Sequence, residues 1–170
     1  MHYFNSNDLD SLSKVYRLNL INSITGYKSA NLIGTQSLNG ITNLAIFSSV
    51  IHLGSNPALI GFVLRPTTVP RHTYSNIKST GIFTLNAVTK KVISDAHHTS
   101  AKYPRDVSEF DKTKLDEEFI GSFIAPYVKS SRIKFGCKYL NEYDIKENGT
   151  VLIVASIEEL HVDDKVLQDD

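Results

Sequence analysis

The chain lacks tryptophan and has one cysteine, Cys137, and one methionine among its 170 residues. A single cysteine excludes an internal disulfide. Cys137 lies in the alternating segment IKFGCKYL, on the side that carries Phe135 and Tyr139, so it reads as a buried structural thiol rather than a nucleophile. Net charge is also missing, since 18 basic residues balance 18 acidic ones. The basic residues are scattered, so no global field draws in nucleic acid or a membrane. No apolar run approaches the length of a membrane span. The first ten residues, MHYFNSNDLD, lack the basic start and apolar stretch of a signal peptide. These absences point to a cytoplasmic location.

Familiar chemical signatures are absent too. There is no glycine-rich phosphate loop and no nucleophile elbow. Cys–His catalysis has no local signature. A metal would have to rest on His97 and His98, and adjacent residues point in different directions, so no metal site is expected. His2, His52, His72 and His161 are isolated along the chain. The run Asp116-Glu117-Glu118 reads as a solvated face. A chain without an evident acid, base or nucleophile fits a redox cofactor protein, where orientation matters more than titration, and fits a non-enzyme equally well.

What is present is a soluble composition, 41% apolar and 21% charged. The length favours one domain over residues 1–170 with a real core. A short helix is expected near Asp8 to Leu12, capped by Asn7 or Asp8. A second places Leu18, Ile21 and Ile24 on one face and ends near Gly26. Strands follow: SANLIGTQ, then Thr42 to Leu53 after a Ser37–Gly40 turn, then ALIGFVLR ended by Pro66. A polar loop leads to a helix over Pro70 to Lys78 with Gly81 behind it. IFTLNAV is a fourth strand, and KKVISDAHH is helical. Arg132 to Ile145 and Val151 to Val162 are long strands joined at Asn148-Gly149, a hairpin turn rather than a glycosylation site. Six mainly antiparallel strands with short peripheral helices predict a mainly β protein, a closed antiparallel β-barrel.

One stretch resists a purely structural explanation. GITNLAIFSSVIHLGSNP, Gly40 to Pro57, has the centre of a buried strand, yet Thr42, Asn43, Ser48 and Ser49 interrupt it. Buried polar groups need hydrogen-bond partners, from the protein or from a ligand.

The order of segments carries more information than any one of them. NLIGTQSLNGITNLAIFSSV is followed by SNPALIGFVLRP, RHTYSNIKSTGIFTLNAV and AHHTSAKYPRDVSEFD. This order resembles the flavin reductase-like family, which adopts the FMN-binding split barrel. The shared pattern is a strand, a glycine turn, Asn-x-Ala-x-Phe-Ser, Asn-Pro and an apolar strand. Thr-x-x-Asn-Ile, Phe-x-x-Asn and a Ser-Glu-Phe block come after it. The resemblance covers roughly residues 17 to 162. It implies a homodimer that binds FMN non-covalently at or near its interface and takes hydride from NADH or NADPH. Electrons would pass on to a small-molecule redox substrate.

The resemblance also implies a site. Asn43, Leu44, Ala45, Ile46 and Phe47 would line the isoalloxazine edge, largely through backbone groups. Ser48 and Ser49 would reach the ribityl or phosphate end, though alternation in a strand lets at most one of them face a given ligand. Arg65, Arg71 and Thr73 fall where the family handles phosphate, and a helix start there would add N–H donors. His98, Thr99 and Ser100 would border the nicotinamide or substrate pocket, or else serve packing. Asn76 reads as a structural brace, and Glu109-Phe110 as a loop anchor. The family commonly continues beyond the point where this chain stops, at VDDKVLQDD. Two other readings share these features: a flavin carrier, store or sensor without reductase activity, and a split barrel that binds another ligand such as heme or pyridoxal phosphate.

Overall fold

The alternating run that begins at Asn31 becomes the first of nine strands in the computed structural model, which describes residues 1–167. The last three residues of VDDKVLQDD lie outside the described part. Strands β1 (Asn31–Gln36) and β2 (Thr42–Phe47) form a hairpin around the Ser37–Gly40 turn, where Gly40 takes φ 81°. Strands β3 (Val50–Ser55) and β4 (Ala58–Leu64) form a second hairpin across Asn56-Pro57. Helix α3 (His72–Thr80) connects β4 to β5 (Ile82–Ala87). It ends at Gly81, whose φ of 75° turns the chain into β5. The long strands β8 (Ile133–Ile145) and β9 (Thr150–Val162) form a third hairpin. Between β5 and β8 lie the short helix α4 (Ile93–His98) and the two-residue strands β6 (Glu117–Glu118) and β7 (Tyr127–Val128).

The seven longer strands form one antiparallel sheet in the order β2-β1-β5-β8-β9-β4-β3. Two expectations need correction here. The stretch Thr42 to Leu53 is two strands rather than one, and the sheet is not closed into a barrel. Both corrections have one cause. The chain breaks at Ser48-Ser49, and its two halves pair at opposite edges of the sheet, β2 with β1 and β3 with β4. Only two residues separate those edges in sequence, and two residues reach no further than about 10 Å. The sheet therefore curls until β2 and β3 come close at this corner, yet no strand ladder joins these two edges, so it stays open. Ser49 fixes the corner: its Oγ donates to the Val63 carbonyl at 2.9 Å and accepts from the Val63 N–H at 3.2 Å.

The curled sheet separates two apolar clusters. Ile33, Phe62, Phe83, Leu85 and Ile153 are fully buried in one, with Ile77 of α3 and Phe47 against them. Phe62 stacks edge-on against both Phe47 and Phe83, with ring centroids 5.1 and 5.6 Å apart. Leu32, Leu44, Ala96, Phe110, Leu115 and Val128 form the other cluster on the opposite face. Alternation within β1 and β2 assigns Ile33 and Phe47 to one side, and Leu32 and Leu44 to the other.

Cys137 is buried, as its strand position predicts, and burial pushes its thiol well above the ordinary value. The N-terminal helices behave differently. α1 (Ser6–Ser11), capped by Asn5 rather than by Asn7 or Asp8, and α2 (Lys14–Ser23) contain no buried residue. Val15, Tyr16, Leu18, Ile21 and Ile24 are all exposed in this single chain. Among the described residues, no helix is long and apolar enough to cross a membrane.

Candidate functional site

Strand β2 and the first turn of α3 are brought together by polar side chains. Thr35 of β1 and Asn43 of β2 are register partners on the pleat that faces α3. Asn43 Nδ2 donates to Thr73 Oγ1 at 3.0 Å, and Asn76 Nδ2 donates to Thr35 Oγ1 at 3.1 Å. Thr73 and Asn76 are three residues apart and share one face of the helix. All four side chains are buried. Asn43 thus ties the strand to α3, and Asn76 is the structural brace that its position implies.

The start of α3 places an arginine beside backbone N–H groups. Its N-cap residue, Arg71, makes no capping hydrogen bond through its side chain, and the first turn carries no acidic residue. The first N–H groups of the helix therefore point outward without a capping side chain. Arg71 sits beside them, half-buried, with Nε donating to the Pro66 carbonyl at 3.3 Å. Among the described residues, no hydrogen bond engages the terminal nitrogens of its guanidinium. Arg65, at the end of β4, is exposed.

The backbone of β2 is less available than the sequence alone implies. β2 is an edge strand, so alternate residues turn their N–H and C=O groups toward β1 or away from it. Ile41 faces β1, because its carbonyl accepts from Ser37 N–H within the turn. Asn43, Ala45 and Phe47 follow the same sense and are committed to β1. Thr42, Leu44 and Ile46 turn outward. The outward positions are partly covered by the Ser-Glu-Phe block: Thr42 Oγ1 lies 2.8 Å from Ser108 Oγ, and Glu109 Oε2 accepts the Leu44 N–H at 2.8 Å. Among the described residues, no side chain takes the outward N–H of Ile46. Of the five residues Asn43 to Phe47, Ile46 alone thus keeps an outward N–H for a ligand at this edge. Burial pushes the Glu109 carboxyl above its ordinary value, and the N–H of Leu44 opposes that shift.

The remaining expected positions divide clearly. Ser48 is exposed at the corner, whereas the hydroxyl of Ser49 is committed to Val63. Thr99 is buried and caps α4 by donating to the Ala96 carbonyl at 2.8 Å. His98 and Ser100 are exposed, and His98 Nε2 lies 3.0 Å from the Tyr103 hydroxyl. Asn86 had been only part of a pattern in the sequence. Its buried amide donates to the Leu32 carbonyl and accepts the Val128 N–H, pinning the segment after β6 to the sheet.

Two depressions open elsewhere on the surface. One, of about 330 Å³, is lined by Lys129, Arg132, Lys134 and His161. The other, of about 440 Å³, lies between the Ser37–Ile41 turn, Ser79 and Arg105. Neither includes the Asn43–Ser49 strand or the start of α3.

Comparison with known proteins bears on this geometry. Residues 28–169 match the family model of the flavin reductase like domain. A crystal structure from Shewanella frigidimarina NCIMB 400, of a protein provisionally called a flavin reductase with split barrel domain, is 45% identical and superposes with a TM-score of 0.96. That match covers 100% of this chain and 84% of the other. Nitrilotriacetate monooxygenase component B from Bacillus cereus shares the fold at 19% identity and a TM-score of 0.85, over 99% of this chain and 85% of its own. Flavoredoxin of Desulfovibrio vulgaris (Miyazaki F) shares it at 22% identity and 0.72, over 85% and 75%.

Proposed function

This chain belongs to the flavin reductase-like family, and from that premise we propose that it binds FMN and accepts hydride from NADH or NADPH. The observation that carries the reading is the Asn43–Thr73 hydrogen bond. It sets an apolar strand edge with an open backbone N–H beside an uncapped helix start that carries an arginine. An elongated ligand with a flat ring at one end and a phosphate at the other matches that pair of surfaces.

The residues present fit the cofactor. Ile46 would meet the polar edge of the ring through its outward backbone groups, with Ala45 and Phe47 as apolar neighbours. Ser48 would serve the ribityl chain. The first N–H groups of α3 and the guanidinium of Arg71 would hold the phosphate, with Arg65 adding charge from the end of β4. Thr73 accepts from Asn43 and still has its own proton to donate. Leu44 and Ser49 shape the strand and its corner rather than touch the ligand. Bound FMN would supply the hydride-accepting centre, and the chain would bind it, orient it and limit its contact with water.

The same reading includes completion of the site by a second copy, and so a homodimer. The exposed apolar residues of α2, with Ile51 and Leu53 on the edge strand β3, offer the surface such a partner would need. One functional unit in the cytoplasm, acting on a small-molecule redox partner, belongs to the same reading.

The test is the absorption spectrum after incubation with FMN and desalting. Retained flavin bands that bleach anaerobically on addition of NADH or NADPH are expected. Retained bands that do not bleach would leave a flavin carrier without reductase activity. A colourless protein, not stabilised thermally by FMN, would overturn the reading.

A further inference from the structure

We propose that Glu109 is a positioning residue for the flavin: its carboxylate holds the outer edge of β2 so that Ile46, two residues on, stays open to the ligand. The inference rests on the flavin-binding reading of β2.

Glu109 is 65 residues from Leu44 in sequence, only 5% exposed, and 2.8 Å from the Leu44 N–H. A carboxyl group is a costly choice for one N–H in such a place, since burial penalises its charged form. A plain edge strand would be covered more simply by another backbone segment. The loop does not do this. It reaches β2 only through side chains, the Glu109 carboxylate and the Ser108 hydroxyl. Backbone pairing at ordinary strand spacing would run on along β2 and cover Ile46 as well. A side-chain clamp ends where the side chain ends.

The clamp is itself held rigidly. The Glu109 carbonyl accepts from the Lys112 N–H at 3.1 Å and the Thr113 hydroxyl at 2.9 Å. Phe110 N–H is 3.3 Å from Ser108 Oγ, and the Phe110 ring is buried in the same cluster as Leu44. Loop and strand are thus joined by an apolar contact on one face and a hydrogen bond along the edge. The apolar contact secures the loop, and the hydrogen bond sets the height at which Ile46 presents its N–H.

The experiment compares wild type with Glu109→Ala, Glu109→Gln and Glu109→Asp. Leu115→Ala serves as a control that weakens the same apolar cluster and leaves the Glu109–Leu44 hydrogen bond its donor and acceptor. FMN affinity is read by flavin fluorescence quenching, the ring's surroundings by the absorption band shape of bound FMN, and stability by apo-protein melting. Glu109→Ala should weaken FMN binding about tenfold or more, the range for a buried donor left unpaired, and change the band shape. Glu109→Gln keeps an acceptor oxygen at full reach and should restore both. Leu115→Ala should lower the melting temperature and leave affinity and band shape unchanged. The inference is overturned if Glu109→Ala binds FMN like wild type, or if Leu115→Ala weakens binding as much. Should the alanine variant fail to fold, Glu109→Asp decides, because its shorter reach should perturb the spectrum and an unchanged spectrum would defeat the proposal. Wild type that retains no FMN would instead overturn the flavin reading itself.

Discussion

Asn43 and Thr73 stand thirty residues apart in the chain, and their side chains meet at 3.0 Å in a buried hydrogen bond. That bond joins the strand edge to the helix start, the two halves of the proposed cofactor site. Its removal should therefore act on both fold and ligand. Asn43→Leu leaves Thr73 without its donor and places an apolar side chain against α3. Loss of stability by about 1–3 kcal/mol is expected in urea unfolding, together with weaker FMN binding. An unchanged flavin affinity and spectrum would detach Asn43 from the site.

Arg71 lies at the N-cap of α3, where phosphate is expected. Arg71→Ala should weaken FMN binding by roughly 10- to 100-fold, the range for a charge-assisted hydrogen bond. Riboflavin has no phosphate, and its binding should change little. Equal losses for both ligands would move the phosphate away from this helix. Affinity for FMN should also fall with added salt, more steeply in wild type than in the variant.

Gly34 admits the backbone of Pro126. A Cβ placed there would lie 2.1 Å from the Pro126 carbonyl oxygen and 2.6 Å from Thr84 Oγ1. Backbone cannot retreat cheaply, so Gly34→Ala should destabilise by about 1–3 kcal/mol or more. Thermal unfolding with and without the substitution measures this directly.

The thiol of Cys137 is buried and its ionisation is strongly disfavoured by burial, with the charge of Glu158 adding to the effect. A thiol reagent at pH 8 should leave the native protein unmodified and label one cysteine after denaturation. Rapid labelling of the native protein would contradict its placement.

Glu109 sets a pH dependence whose sign follows from proton linkage. Burial raises its folded-state value above the ordinary 4.5, so the native state holds the proton more tightly than the unfolded chain. Its stabilising contribution is complete below 4.5 and is lost as the pH climbs through the raised value. Glu109→Gln has no proton to lose. The stability of wild type minus that of Glu109→Gln, measured in urea, should therefore decrease as pH rises above 4.5. A flat difference would mean that the carboxyl is not desolvated.

Much of the fold can be read along the chain because its signals are local. The Ser37–Gly40 turn, the Asn-Gly hairpin, the glycine after α3 and the alternation of the long strands each depend on residues close in sequence. The break at Ser48-Ser49 is different. Apolar residues flank it on both sides, and nothing local states that the next strand will pair at the other edge of the sheet. The Ser49 hydroxyl makes that switch workable by bonding Val63 both ways, a partner 14 residues on.

The site shows the same division. The order of short segments, through its resemblance to the flavin reductase-like family, pointed to that family's fold and drew attention to Asn43–Ser49 and Arg65–Thr73. It could not rank those residues. Rank depends on which groups are already spent: Leu44 on Glu109, Ser49 on Val63, and Asn43, Ala45 and Phe47 on β1. Glu109 was legible as an anchor, but its target, 65 residues away, was not. Sequence determines which side chains exist and how the nearby backbone bends. Tertiary structure decides which hydrogen-bonding groups find partners across the fold, and so which remain for a ligand.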